Sequence, residues 1–157
     1  MAVEPVLRRA HALDAEAVAD LWLRSFAAAL PSVRAVHTDD QVRAWVREVV
    51  IARYETWVIC VDDEIAGMMA LHGTEIDQLY LAPSRRGQGL GDILIAHAKA
   101  RSPDGLVLWT FQVNTAAVRF YQRHGFRETA RSGGAHNEEH EPDIRMQWRP
   151  AREDHHA

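Results

Sequence analysis

The sequence predicts an α/β (α+β) protein of a single domain, and three observations predict it. At 157 residues the chain holds one ordinary domain. Hydrophobic residues make up 47% and charged ones 25%, globular proportions that exclude wholesale disorder and fibrous folds. Alternating β-rich runs and segments of helical period follow one another, with a strand–glycine loop–helix at the centre. Residues 1–150 are read as the domain and 151–157 as a disordered tail.

Val6 to Arg9 is a short strand. Asp14 is placed to cap a helix whose Val18, Leu21, Trp22, Ser25 and Phe26 share one face, and Pro31 closes that region. Thr38-Asp39-Asp40-Gln41 has the form of a capping box, with Val42, Trp45, Val46, Val49 and Val50 continuing at helical spacing. Thr56 to Val61 and Ile65 to Leu71 flank Asp62-Asp63-Glu64, which predicts a hairpin. Gly73 turns the chain into a strand from Glu75 to Leu81. After the glycine loop, Ile93 to Ala100 is helical and Pro103 stops it. Leu106 to Phe111 is a strand, and Asn114 caps a helix running through Arg123 with Gly125 at its C-terminal end. Phe126 to Ala130 and Ile144 to Trp148 complete the pattern as strands around a polar loop; either could pair with a second copy if it lay at an edge.

Charge and cysteine content narrow the function. With 18 basic against 22 acidic residues and a net charge of −4, the chain is a poor holder of nucleic acid. Lys99 is the only lysine; the other cations are arginines, suited to bidentate phosphate or carboxylate contacts. The single Cys60, inside the apolar run Trp57 to Val61, forbids an internal disulfide and reads as a core residue. No apolar stretch approaches the ~20 residues of a membrane span, and the protein is expected in the cytoplasm.

Arg85-Arg86-Gly87-Gln88-Gly89-Leu90-Gly91 follows a strand and opens a helix. Unobstructed backbone N–H groups and a helix N-terminus there offer a site for an anion such as a pyrophosphate. A P-loop would need a lysine that the loop lacks. A dinucleotide fingerprint would need a third glycine where Asp92 stands.

The segment from Arg86 to Gly91 resembles the coenzyme A loop, Gln/Arg-x-x-Gly-x-Gly/Ala, of the GNAT N-acyltransferase superfamily. Leu79-Tyr80-Leu81-Ala82-Pro83 is similar to the strand that leads into it. Asn114, Ala117, Phe120-Tyr121 and His124-Gly125-Phe126 are similar to the family's second signature. The resemblance implies a mixed, largely antiparallel sheet flanked by helices, and acetyl transfer from acetyl-coenzyme A to an amine by direct attack in a ternary complex. It implies that the strand splays, so that backbone groups at Leu79, Tyr80 and Leu81 meet the pantetheine arm. The amides of Arg86, Gly87, Gln88, Gly89, Leu90 and Gly91 would bind the pyrophosphate. Asn114 would cap its helix, contact the cofactor, or both, and Phe120 would stand beside the cofactor. Tyr121 would be the general acid that protonates the departing thiolate. No metal is implied.

Candidate bases follow from strand alternation, which puts Glu75 and Asp77 on the face that carries Leu79 and Leu81. His37, just before the capping box, lies in the region expected to shape the acceptor pocket. In the polar loop, Glu138, Glu139 and Asp143 could form an anionic rim for a cationic amine, either a small molecule or a peptide. The same loop satisfies His-x-x-Glu-His at His136, Glu139 and His140, the inverted zincin pattern; that reading, a zinc hydrolase, requires a helix there. A further alternative keeps the fold and drops catalysis, leaving a coenzyme A-binding domain.

Overall fold

The computed structural model describes residues 4–151, so most of the expected tail lies outside the described residues. Seven strands form one sheet in the order β1-β2-β3-β4-β5-β7-β6. They are β1 (Val6–Arg9), β2 (Glu55–Val61), β3 (Glu64–His72), β4 (Glu75–Leu81), β5 (Leu106–Phe111), β6 (Arg127–Ser132) and β7 (Asp143–Trp148). All neighbours are antiparallel except β4 and β5. Four helices cover the sheet: α1 (Ala15–Ala29), α2 (Asp39–Trp45), α3 (Leu90–Arg101) and α4 (Thr115–Arg123). A π-helical turn, Val46–Ile51, extends α2.

β3 shows why the fold needs helices on both faces. Met68 and Ala70 join a core with Val18 and Leu21 of α1, whereas Met69 and Leu71 join one with Leu94 and Ile95 of α3. Met68, Met69 and Ala70 are all fully buried, so the strand reads as a continuous apolar run rather than an alternating one. The hairpin before it turns through Asp62 and Asp63, both with positive φ, as a tight turn demands.

The capping box at Thr38 forms as expected, Gln41 N–H donating to Thr38 Oγ1 at 3.2 Å and Thr38 N–H to Gln41 Oε1 at 2.9 Å. Asp14 sits at the N-cap of α1 but does not cap it. Its carboxylate instead accepts from the Arg8 guanidinium at 2.8 and 2.9 Å and from the His11 N–H at 2.9 Å, tying the helix entry to β1. Ile144–Trp148 lies inside the sheet, so of the last two strands only β6 is an edge. Its Arg127, Glu128 and Arg131 are exposed, the charged character that discourages edge pairing.

Two native ion pairs set an expected acid sensitivity. The Arg101 guanidinium, helped by the Trp57 indole N–H, lowers the Glu55 carboxyl to about 2, and Arg8 likewise lowers Asp14. A carboxyl whose folded value is depressed stabilises the fold above its ordinary value and loses that contribution as pH falls toward the folded one. Tm should therefore drop between about pH 4.5 and pH 2. Glu55→Gln and Asp14→Asn should each flatten that drop, and Asp14→Asn should cost about 1–2 kcal/mol at neutral pH. Parallel acid-melting curves of wild type and variants would disprove the assignment.

Candidate active site

The site begins where the sheet opens. β4 and β5 share one registered pair, Glu75 with Val107, beside a 3.0 Å bond from the Val107 N–H to the Thr74 carbonyl. Beyond it β4 stays with β3 and β5 stays with β7, so the two halves part. Ala82 N–H donates back to Ala66 at 2.8 Å. Alternation therefore turns the N–H groups of Leu81 and Leu79 to the unpaired edge. The Leu81 carbonyl is not free, because buried Ser25 of α1 donates its hydroxyl to it at 2.6 Å. Sequence reasoning placed Ser25 on the inner face of its helix and missed this contact across 56 positions. The resulting cleft holds roughly 330 Å³.

At the wide end of the cleft the chain passes through a 3₁₀ turn, Pro83–Arg85, into the glycine loop. Gly87 and Gly89 adopt φ of +77° and +80°, and Gly89 is the N-cap of α3. Among the described residues the N–H groups of Arg86, Gly87, Gln88 and Gly89 donate to no acceptor. Those of the first helical turn have no intrahelical acceptor by geometry. The loop thus offers a row of donors and a positive dipole end to an anion. Gly91 serves a different purpose: a Cβ there would lie 2.9 Å from Phe120, so its absence lets α4 close onto α3. The Leu90 side chain is likewise core, leaving only its backbone to the loop.

α4 brings Tyr121 to the cleft. Its ring is 7% exposed and packs against Phe120 and Phe126 at 5.2 and 5.4 Å, while among the described residues no hydrogen bond occupies the hydroxyl. Burial pushes this phenol well above its ordinary value, so it stays protonated. Asn114 caps α4, its Oδ1 accepting from Ala117 N–H at 3.2 Å, and still lines the cleft. The Tyr80 side chain lies on the α1 face, edge-on to Trp22 at 5.8 Å, opposite Leu79 and Leu81, and lines the cleft.

The carboxylates of β4 also depart from simple alternation. The register passes from Ala70–Gln78 to Leu71–Ile76, leaving Asp77 unpaired in a bulge. Ile76 therefore shares the core face of Leu79 and Leu81, and Glu75 and Asp77 turn to the opposite face, beside His72 and Tyr54. Both still line the cleft. Burial raises the pKa of each, and Asp77 raises Glu75 further.

The polar loop between β6 and β7 folds over the same opening. Asp143 is 3% exposed and accepts from Ser132 Oγ at 2.5 Å and Asn137 Nδ2 at 3.2 Å, so it organises the loop rather than forming a rim. His136 also bonds Asp143, at 3.0 Å, and rests on Trp109 at 4.6 Å. Glu138 pairs with His37 of the α1–α2 connection, raising the histidine's pKa, and neither lines the cleft that holds Tyr121. His37 instead rims a neighbouring apolar pocket of roughly 630 Å³ built on Trp22, Phe26 and Val42; Glu139 lines both. The segment is not helical and His140 has φ of +51°, which removes the geometry the zinc reading requires. Among the described residues, no three His, Cys, Asp or Glu side chains are grouped to hold a metal ion.

A parted sheet edge, a glycine loop at a helix start and a buried phenol define an acyl-coenzyme A-dependent N-acyltransferase. The profile of the acetyltransferase (GNAT) domain matches residues 52–128, and the chain belongs to that family. The peptidyl-lysine N-acetyltransferase YjaB of Salmonella typhimurium is 36% identical over 132 residues, covering 80% of this chain and 86% of its own. YiaC of Escherichia coli, also a peptidyl-lysine N-acetyltransferase, is 29% identical over 122 residues, covering 77% and 82%. The solution structure of apo YjaB from Escherichia coli matches with a TM-score of 0.80 at 28% identity, over 94% of this chain and 99% of that one. The PaiA N-acetyltransferase of Thermoplasma acidophilum, solved with coenzyme A, shares the fold at a TM-score of 0.71 and 16% identity, over 94% and 99%. The activity is acetyl transfer from acetyl-coenzyme A to an amine. Among the described residues no helix is long and apolar enough to cross a membrane.

Proposed function

We propose that this chain acetylates the ε-amino group of lysine side chains in peptides or proteins, by direct attack in a ternary complex in the cytoplasm. The observation that carries the reading is the parted edge of β4. The cleft beside it is lined by Tyr121 and by the carboxylates of Glu75 and Asp77, a convergence that supports the reading. Acetyl-coenzyme A supplies an activated acyl carbon and a thiol leaving group. The N–H groups of Arg86 to Gly91 hold its pyrophosphate, with Arg86 at the mouth. Leu79 and Leu81 offer strand N–H groups to the pantetheine arm, and the amide at Leu81 faces the oxygen on which charge develops. Asn114 and Phe120 border the arm, and Tyr121 returns a proton to the sulfur. Glu75, Asp77 and Glu139 draw the ammonium form of the acceptor into the cleft, a charge match that supports a lysine acceptor, as do the named substrates of YjaB and YiaC. Every residue invoked lies in one copy of the chain.

Two measurements test this. Acetyl-coenzyme A at 100 times its Kd should stabilise the protein by about 2.7 kcal/mol, a rise of several degrees in Tm. Lysine peptides should then support thiol release, with mass spectrometry locating the acetyl group on Nε. Absence of the thermal shift, or turnover with polyamines and α-amines but not lysine peptides, would refute the proposal.

A further inference from the structure

We infer that His136, held by Asp143, is the catalytic residue that takes the proton from the acceptor ammonium. The inference rests on the acetyl-transfer reading of the cleft. Nε2 of His136 lies 3.0 and 2.9 Å from the two oxygens of Asp143. An ionised carboxylate only accepts, so Nε2 carries the hydrogen and Nδ1 is left as the lone-pair atom of the neutral ring. Asp143 is itself fixed, buried under the Ser132 and Asn137 donors. The loop around it is stapled: Gln112 N–H donates to the Pro142 carbonyl at 2.9 Å, and Asn137 bonds both the N–H and the carbonyl of Glu141. The dyad is therefore preorganised, with Trp109 supporting the ring and the ring lining the cleft that holds Tyr121.

The lining of the cleft is acidic. Asp143 of β7, Glu139 of the same loop, Glu75, Asp77 and Tyr80 of β4, and Tyr121 of α4 line it with His136, and Arg145 of β7 lies within electrostatic reach of Glu75. Among the described residues no lysine or arginine lines the cleft. Imidazole is also the better-matched base. Ordinary carboxylates sit near 4 and a lysine ammonium near 10.4, whereas imidazole titrates between about pH 5 and 8, close to the working pH.

The step balances. His136 takes one proton from the ammonium, and the freed lone pair forms the N–C bond as the C–S bond breaks. The sulfur keeps the electron pair and gains the Tyr121 proton. The second amine proton restores Tyr121, and the proton on His136 passes to solvent, leaving an amide, a thiol and one released proton.

The experiment is the pH dependence of kcat with a lysine peptide, for wild type, His136→Ala, His136→Gln and Asp143→Asn. Coenzyme A affinity and Tm are measured alongside. Wild type that neither binds coenzyme A nor turns over would sink the acetyl-transfer reading itself. With wild type active, His136→Ala and His136→Gln should lose 10²–10⁴-fold in kcat. Both should also lose the acid limb of the profile and keep their coenzyme A affinity. Added imidazole should restore part of the rate of His136→Ala. Asp143, a positioning residue, should show a smaller loss with the limb displaced to lower pH. A His136→Ala enzyme that keeps the wild-type acid limb, or whose loss falls only on the acceptor KM, would overturn the assignment.

Discussion

Tyr121→Phe should lower kcat by 10²–10⁴-fold while leaving coenzyme A affinity and Tm essentially unchanged. The substitution removes one oxygen that has no partner among the described residues and keeps the ring packed edge-on between Phe120 and Phe126. It therefore creates no cavity and orphans no polar group, and the effect should appear in the chemical step alone. Because burial holds this phenol above its ordinary value, it remains a proton donor through neutral pH. The alkaline limb that depends on it should lie above pH ~10. Steady-state kinetics with a thiol reporter, beside coenzyme A titration, would check both points. Equal losses of kcat and cofactor affinity would reduce Tyr121 to a packing residue.

Gly89→Val should do the reverse, weakening coenzyme A binding by about 10–100-fold through the loss of one or two charge-assisted bonds. Space is not the obstacle, since a Cβ at Gly89 would meet only Asp92 Oδ2, at 4.0 Å. The obstacle is φ of +80°, which costs a non-glycine residue about 1–2 kcal/mol and more for a β-branched one. The loop relieves that strain by turning its N–H groups away from a common anion. Gly91→Ala offers the contrast: its Cβ would press on Phe120 at 2.9 Å, so it should lower Tm by shifting α4 off α3. Calorimetric titration with coenzyme A, together with melting curves, separates the two. Unaltered affinity in Gly89→Val would remove the loop from the site.

Features governed by neighbours in sequence were legible before the structure was known. The Thr38 capping box, the Asn114 cap, the turn at Asp62-Asp63 and the bounds of β4 and β5 follow from residues within a few positions. The glycine loop belongs here too, since positive φ at Gly87 and Gly89 is a demand that glycine answers by itself.

What only the tertiary structure decided are the placements set by distant partners. The Asp77 bulge exists because β4 pairs with β3, and it reverses the face that alternation assigns to Glu75. Asp14 abandons its cap because Arg8 stands beside it, and Ser25 finds the Leu81 carbonyl across the sheet. Asp143 is drawn inward by Ser132, Asn137 and His136, so a residue that reads as part of an acidic rim becomes the buried anchor of the loop. A polar side chain that is buried takes whichever partner the fold brings near, because leaving it unpaired costs about 1–3 kcal/mol. The sequence by itself determined the elements, the glycine loop and the family; the meeting of the sheet's two halves determined which side chains face the cleft.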